Sequence, residues 1–152
     1  MKSLVIVYSY HHKNTEKIAR VIADKIDAEV KHFHTVNVEE IKNYDLIGFG
    51  AGIDNGKHYE PLRKFAESLH DEVGKKAFLF STSGIYGEKK MFRDHTALRD
   101  ILLSKGYSIV GEFSCVGFNT NSVLKFIGGI NKGRPNTVDL KRTENFADTL
   151  IK

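Results

Sequence analysis

Apolar runs and helical stretches alternate along this chain from its first residues onward. Residues 4–8 form an unbroken apolar run, which is typical of a strand that is covered on both faces. Ile18, Ile22 and Ile26 follow at the spacing of one face of a helix. Because neighbouring parallel strands are joined by a long crossover that is usually a helix, this alternation predicts a parallel sheet.

The same alternation continues to the end of the chain. Further strands are predicted at residues 28–33, 45–50, 77–80 and 107–115. Helices are predicted after Pro61, over residues 90–105 with an end at Gly106, and after a cap at Asn136 or Thr137. The five strands and the helices between them predict an α/β three-layer sandwich with helices on both faces of the sheet. The length of 152 residues fits a single domain over residues 1–152.

The composition narrows the classes of function. No apolar run approaches the roughly 18 residues of a membrane span, and the first run is too short for a signal peptide, so we predict neither. Cys115 is the only cysteine, which excludes an internal disulfide and predicts a reducing compartment, the cytoplasm.

The basic residues are too dispersed to predict a nucleic-acid partner, since the formal net charge of +4 forms no dense basic stripe. His32 and His34 share one face of the predicted second strand without a third ligand, and no metal site is predicted.

In an open parallel sheet, ligands bind beyond the carboxyl ends of the strands. The loop after the first strand leads directly into an amphipathic helix, whose free N–H groups and dipole favour a phosphate. Its side chains add hydroxyl, amide and cationic groups, and the predicted binding residues are Ser9, His11, His12, Lys13, Asn14 and Thr15. Capping of the helix by Asn14 and Thr15 is the alternative explanation for the same residues.

A second predicted binding loop follows the third strand. It is rich in glycine and turn residues, and its candidate residues are Ala51, Gly52, Ile53, Asp54, Asn55 and Gly56. Asn55 and Gly56 both tolerate a positive φ, so a peptide here can turn its carbonyl toward a ligand. An ordinary turn before the helix at Pro61 is the alternative.

A third predicted loop follows the fourth strand and carries three hydroxyls, a glycine and an aromatic ring. Its candidate residues are Ser81, Thr82, Ser83, Gly84 and Tyr86. Hydroxyl and peptide groups suit the heteroatoms of a flat polar ring, and Tyr86 suits stacking on its face. A hydroxyl-rich surface loop is the alternative.

The order and spacing of these three loops resemble those of short-chain flavodoxin-like proteins, and the resemblance covers nearly the whole chain. It implies the strand order 2-1-3-4-5 and bound flavin mononucleotide (FMN). By this resemblance, Ser9, Asn14 and Thr15 hold the phosphate, and the second and third loops flank the isoalloxazine ring. The chain has no tryptophan, so Ile53 or Tyr59 is expected on the ring face opposite Tyr86.

The resemblance implies an electron carrier that works between a reductase and an acceptor. Residues 56–59 and the basic segment 117–135 also resemble flavodoxin-like protoporphyrinogen oxidases, which implies an oxidoreductase acting on a quinone or a protoporphyrinogen-type substrate. The segment 117–135 contains three basic residues and no acidic one, so we expect a redox protein partner or a small anionic substrate near it. A signalling receiver shares the strand order but needs clustered carboxylates where this chain has Ser9.

Overall fold

The computed structural model describes residues 1–9, 14–117 and 133–152. The strands are β1 (Ser3–Tyr8), β2 (Glu29–His32), β3 (Leu46–Asp54), β4 (Lys57–His58), β5 (Lys76–Ser83) and β6 (Ser108–Val116). The α-helices are α1 (Asn14–Ile26), α2 (Glu60–Glu67), α3 (Glu88–Asp94), α4 (Thr96–Ser104) and α5 (Thr137–Leu150). Two 3-10 helices, Phe33–Thr35 and Val38–Asn43, connect β2 to β3.

The five long strands are parallel and lie in the order β2-β1-β3-β5-β6. Numbered among themselves, these strands have the expected order 2-1-3-4-5, so the flavodoxin-like topology is confirmed. The two-residue strand β4 pairs antiparallel with the end of β3 and is an addition that the hydrophobic pattern did not reveal.

Side chains of each strand alternate between two cores, one on each face of the sheet. Leu4 and Ile6 of β1 belong to the core beneath α2 and α4, whereas Val5 and Val7 belong to the core beneath α1 and α5. All four side chains are fully buried. Helices therefore cover both faces of the sheet, and the predicted three-layer sandwich is confirmed.

Two strands are longer than predicted, and this corrects the placement of several candidate residues. The ladder between β3 and β5 continues through Ala51 opposite Ser81 and Gly52 opposite Thr82. The residues assigned to loops that in fact belong to strands are Ala51, Gly52, Ile53, Asp54, Ser81, Thr82 and Ser83. The small polar residues at the end of β5 are of the kind that is typical of loops. In the structure, however, the hydroxyl groups of Ser81 and Thr82 contact buried partners and not solvent.

The helix predicted over residues 90–105 is two helices, α3 and α4, which meet at His95. The apolar spacing of this segment did not indicate a break. The residue at the junction, His95, is polar but fully buried. The predicted end of α4 at Gly106 is confirmed, since that residue has a φ of +93°. The predicted cap of α5 is confirmed at Asn136, which forms a capping box with Asp139. Among the residues described, no helix combines the length and apolarity needed to cross a bilayer.

Candidate functional site

The start of α1 and the end of β5 meet at the carboxyl edge of the sheet. The hydroxyl oxygens of Thr15 and Thr82 lie 2.9 Å apart, and both residues are buried. Gly117, just beyond β6, also approaches α1 closely, because a Cβ atom there would lie 2.5 Å from the Asn14 side-chain amide nitrogen. The start of α1, the end of β5 and the end of β6 therefore lie together at this edge of the sheet.

Ser9 directly follows β1, and its side chain contains a buried polar atom that a ligand could satisfy. Its hydroxyl oxygen is closed off from solvent and makes no hydrogen bond to any of the described residues. A buried polar atom without a partner destabilises a fold by about 1–3 kcal/mol. A phosphate oxygen at the start of α1 would remove this penalty, so the group fits the residues that are present.

The second predicted loop is a tight hairpin between β3 and β4. Asn55 and Gly56 have φ values of +52° and +73°, as in a type I′ turn, so their expected positive φ is confirmed. The Tyr59 amide donates to the carbonyl of Gly52 over 3.1 Å. A Cβ atom at Gly52 would lie 2.9 Å from the Tyr59 ring, so glycine allows this ring to lie against β3.

The third predicted loop begins only after Ser83, whose hydroxyl donates to the carbonyl of Ile85 over 2.7 Å. The ring of Tyr86 is 52% exposed. The Arg142 guanidinium of α5 lies 4.6 Å from the centre of that ring. Arg142 thus covers one face of the Tyr86 ring, and the rest of the ring is available to stack on a ligand.

A buried polar cluster, consisting of His58, Ser81, His95, Arg99 and Glu112, lies behind the hairpin and the end of β5. His95 contacts the Ser81 hydroxyl through Nε2 at 2.7 Å and the Glu112 carboxylate through Nδ1 at 2.9 Å. Arg99 donates to both oxygens of that carboxylate, over 2.8 and 3.0 Å. The ring of His58 lies 4.6 Å from that of His95, measured between centroids.

Sequence reasoning missed this cluster because its members come from β4, β5, α4, β6 and the junction before α4. No local motif joins residues so far apart in the chain. The alternation of β5 explains the arrangement, since Ser81 faces the α2 and α4 side whereas Thr82 faces α1. A polar residue inside the apolar period of the predicted helix at 90–105, His95, was the one signal available.

The cluster perturbs two titrating groups. Burial, reinforced by the neighbouring His95, lowers the pKa of His58 to about 3. For Glu112, burial alone raises the pKa, but hydrogen bonds from His95 and Arg99 and their charges outweigh it and bring the pKa to about 2. Glu112 is therefore a carboxylate at neutral pH, and His58 is a neutral imidazole.

Ser81, His95 and Glu112 have the hydrogen-bond order of a hydrolytic Ser–His–acid triad. Ser81 is only 1% exposed, however, and it is paired with β3 on one side and β6 on the other. A substrate carbonyl cannot reach its hydroxyl, so this arrangement holds the fold together and does not perform acyl transfer.

Other candidates have structural explanations. Cys115 is a buried residue of β6, and burial raises its thiol pKa to about 12. His34 lies beyond β2 in a 3-10 helix, so it does not share a strand face with His32 as predicted. No group of three metal-ligating side chains occurs within the described ranges. His11, His12 and Lys13 lie outside the described residues, as do residues 118–132 of the basic segment.

The comparison with known families agrees with this geometry. The flavodoxin domain model matches residues 5–150, and the chain belongs to that family. The uncharacterized protein MJ0298 of Methanocaldococcus jannaschii is 47% identical over 152 residues, which are 100% of this chain and 99% of that protein. The flavodoxin-like domain-containing protein BilS of Clostridioides difficile is 33% identical over 122 residues, which are 77% of this chain and 66% of that protein.

Solved structures show the same fold. The structure of a Fusobacterium nucleatum flavodoxin bound to flavin mononucleotide has a TM-score of 0.68 with this chain at 18% sequence identity. The match covers 99% of this chain and 98% of that flavodoxin.

Proposed function

We propose that this chain binds FMN at the carboxyl edge of its sheet and carries electrons between a reductase and an acceptor. Membership of the flavodoxin domain family supports the proposal. The observation that carries it is the Ser9 hydroxyl, which is buried, has no partner among the described residues and lies at the junction with α1.

Ser9, Asn14 and Thr15 would hold the phosphate. The start of α1 adds backbone N–H groups that have no acceptor within the helix and the positive end of a helix dipole, both of which favour an anion. In the pair formed by Thr15 and Thr82, one hydroxyl donates to the other. The accepting hydroxyl keeps its own hydrogen and can donate it further.

The turn of the hairpin and the end of β5 would flank the ring. When bound, FMN supplies the electron chemistry, and the protein positions it and excludes water. Cys115 does not compete as a redox group near neutral pH, because burial keeps its thiol protonated.

The carrier role is better supported than an oxidoreductase acting on a quinone or a protoporphyrinogen-type substrate. The loop that suggested the enzyme contains His58, which is fully buried and bonded through Nε2 to the Phe80 carbonyl. This histidine therefore cannot contact a substrate. Arg134 of the basic segment is likewise engaged, since its Nη2 donates to the Asp139 carboxylate over 2.6 Å.

Titration of FMN into the purified chain, followed by quenching of flavin fluorescence, tests the cofactor. We expect the S9A variant to bind FMN at least about tenfold more weakly, because hydrogen bonds to charged groups contribute about 1.5–3 kcal/mol. Binding of riboflavin, which lacks the phosphate, should not change. The S104A variant is the matched control, since Ser104 is an exposed serine at the end of α4.

The carrier role has its own test. The FMN-loaded protein, once reduced, should reduce cytochrome c in proportion to its flavin content and should show no steady turnover of a quinone. A folded protein that leaves FMN fluorescence unchanged contradicts cofactor binding. Rapid quinone turnover contradicts the carrier role alone.

A further inference from the structure

His58 joins the hairpin to the body of the protein through its side chain. Its Nε2 atom lies 3.0 Å from the carbonyl oxygen of Phe80 in β5, and the residue is fully buried. A carbonyl only accepts hydrogen bonds, so Nε2 carries the hydrogen. The other ring nitrogen, Nδ1, is then an acceptor, and it has no hydrogen-bond partner among the described residues.

His95 packs against the ring of His58 and holds the next residue of the same strand. Its Nε2 contacts the hydroxyl of Ser81, which directly follows Phe80. The Glu112 carboxylate only accepts, so the Nδ1 atom of His95 donates to it, while Nε2 pairs with the Ser81 hydroxyl. Two imidazole rings in contact, tilted by 45° to each other, thus connect the hairpin to consecutive residues of β5, immediately before Thr82 at the phosphate side of the site.

We propose that His58 is a positioning residue that fixes the hairpin of residues 54–57 against the end of β5, and that its protonation releases the hairpin. The hairpin would then open in acid and weaken ligand binding. For FMN as the ligand, this inference rests on the proposed function, whereas the attachment of the hairpin does not.

The charges around His58 oppose protonation while the hairpin is closed. From α2, Arg63 donates to the His58 carbonyl over 2.9 Å and adds positive charge. From the α3–α4 junction comes His95, which also disfavours a second cation. From β6 comes Glu112, whose negative charge favours protonation but is already shared with Arg99.

Asp94, at the end of α3, is a further charged group near the hairpin. One of its carboxylate oxygens would lie 3.8 Å from a Cβ atom at Gly56, and the other is bonded to Lys90. Burial, followed by His95 and Arg63, lowers the pKa of His58 to about 3 in the closed hairpin, against an ordinary value of 6.5. Below pH 6.5, protons therefore favour the open hairpin by up to about tenfold per pH unit.

Amide hydrogen exchange on the full chain without FMN tests the positioning role. We expect the H58L variant to lose at least about tenfold of the protection of the Tyr59 amide, because such protection follows local opening. The H58Q variant keeps a side-chain N–H donor and should recover much of it. The H70Q variant is the control, since His70 is an exposed histidine on the other side of α2.

The acid release is tested by comparing the wild-type chain with H58Q, which cannot take up a proton in this pH range. In the wild type, the protection of the hairpin amides relative to that of the β1 amides should be at least about threefold lower at pH 5.5 than at pH 7.5, as the linkage above requires. In H58Q this ratio should not change. The ratio of the FMN dissociation constants of the two chains should change in the same direction between pH 7.5 and 5.5. The ratio cancels the titration of the phosphate itself, whose second pKa is about 6.

Each outcome decides the inference. Unchanged protection in a folded H58L chain overturns the positioning role. Parallel pH profiles of the wild type and H58Q overturn the release by protonation. If H58L does not fold, the comparison of the wild type with H58Q at the two pH values still decides. If the wild type does not bind FMN, the proposed function fails, but the exchange measurement without FMN keeps its meaning.

Discussion

The hydroxyl groups of Thr15 and Thr82 form a buried hydrogen bond of 2.9 Å between residues that are 67 positions apart in the chain. Thr15 lies in the first turn of α1, and Thr82 is the last residue but one of β5. The bond joins the start of α1 to the end of β5, the two elements assigned to the phosphate side and the ring side of the proposed FMN site. Its geometry is therefore fixed by the fold before any ligand binds.

The T82V variant tests this bond. Valine has nearly the shape of threonine but leaves the Thr15 hydroxyl buried without a partner, so we expect a loss of about 1–3 kcal/mol of unfolding free energy. The T15V/T82V double variant should lose less than the sum of the single losses, because it removes both partners. Urea denaturation measures these free energies. Additive losses contradict the coupling, and T149V, at an exposed threonine of α5, is the control.

The hairpin turn offers a second test. Gly56 has a φ of +73°, and a side chain in this conformation costs about 1–2 kcal/mol. Gly74 has a similar φ of +80° in open space, away from the site. We expect G56V and G74V to lose similar unfolding free energy in urea, whereas G56V alone weakens FMN binding in the fluorescence titration. Equal FMN affinities of the two variants argue against a role of the hairpin in the site.

Much of this architecture could be predicted because it depends on periodicity. The apolar run at residues 4–8 and the spacing of Ile18 and Ile22 determine which faces are buried, and burial determines the layers. Turn chemistry also has a local cause. Asn55 and Gly56 tolerate the positive φ that a two-residue hairpin needs, and they adopt it.

The polar interior could not be predicted, because its cause is not local. Ser81 was assigned to a loop since a hydroxyl at a strand end usually faces water, yet it is buried against His95. The partner of His95, Glu112, lies in a strand whose alternation made it look like a surface residue. Such contacts depend on the crossing of distant elements, and the chain pattern carries no record of them.

Cys115 should be inert in the folded protein. Burial raises its thiol pKa to about 12, so almost no thiolate forms at pH 8. The residue is also only 1% exposed to solvent. We expect labelling by a thiol reagent at pH 8 to be slow in buffer and fast in denaturing urea. Labelling kinetics followed by absorbance measure the difference. Rapid reaction in buffer, with the circular dichroism spectrum intact, contradicts this burial.

Acid should lower the free energy of unfolding of the protein in two stages. The pKa of His58 is about 3 in the folded chain against 6.5 ordinarily, so the unfolded chain binds the extra proton and stability falls as the pH decreases from 6.5 toward 3. The pKa of Glu112 is about 2 against 4.5, so its contribution is present above pH 4.5 and is lost from there toward 2.

Urea denaturation at pH 6.5, 5.5 and 4.5 measures the first stage. The unfolding free energy of the wild type should fall by about 2 kcal/mol between pH 6.5 and 4.5, given a limit of about 1.4 kcal/mol per pH unit for one proton. The H58Q variant should lose most of this slope, and H70Q is the control at an exposed histidine. Equal slopes in the wild type and H58Q mean that His58 titrates normally in the folded chain. In that case the hairpin is open to water around this ring, and the acid release of the hairpin fails with it.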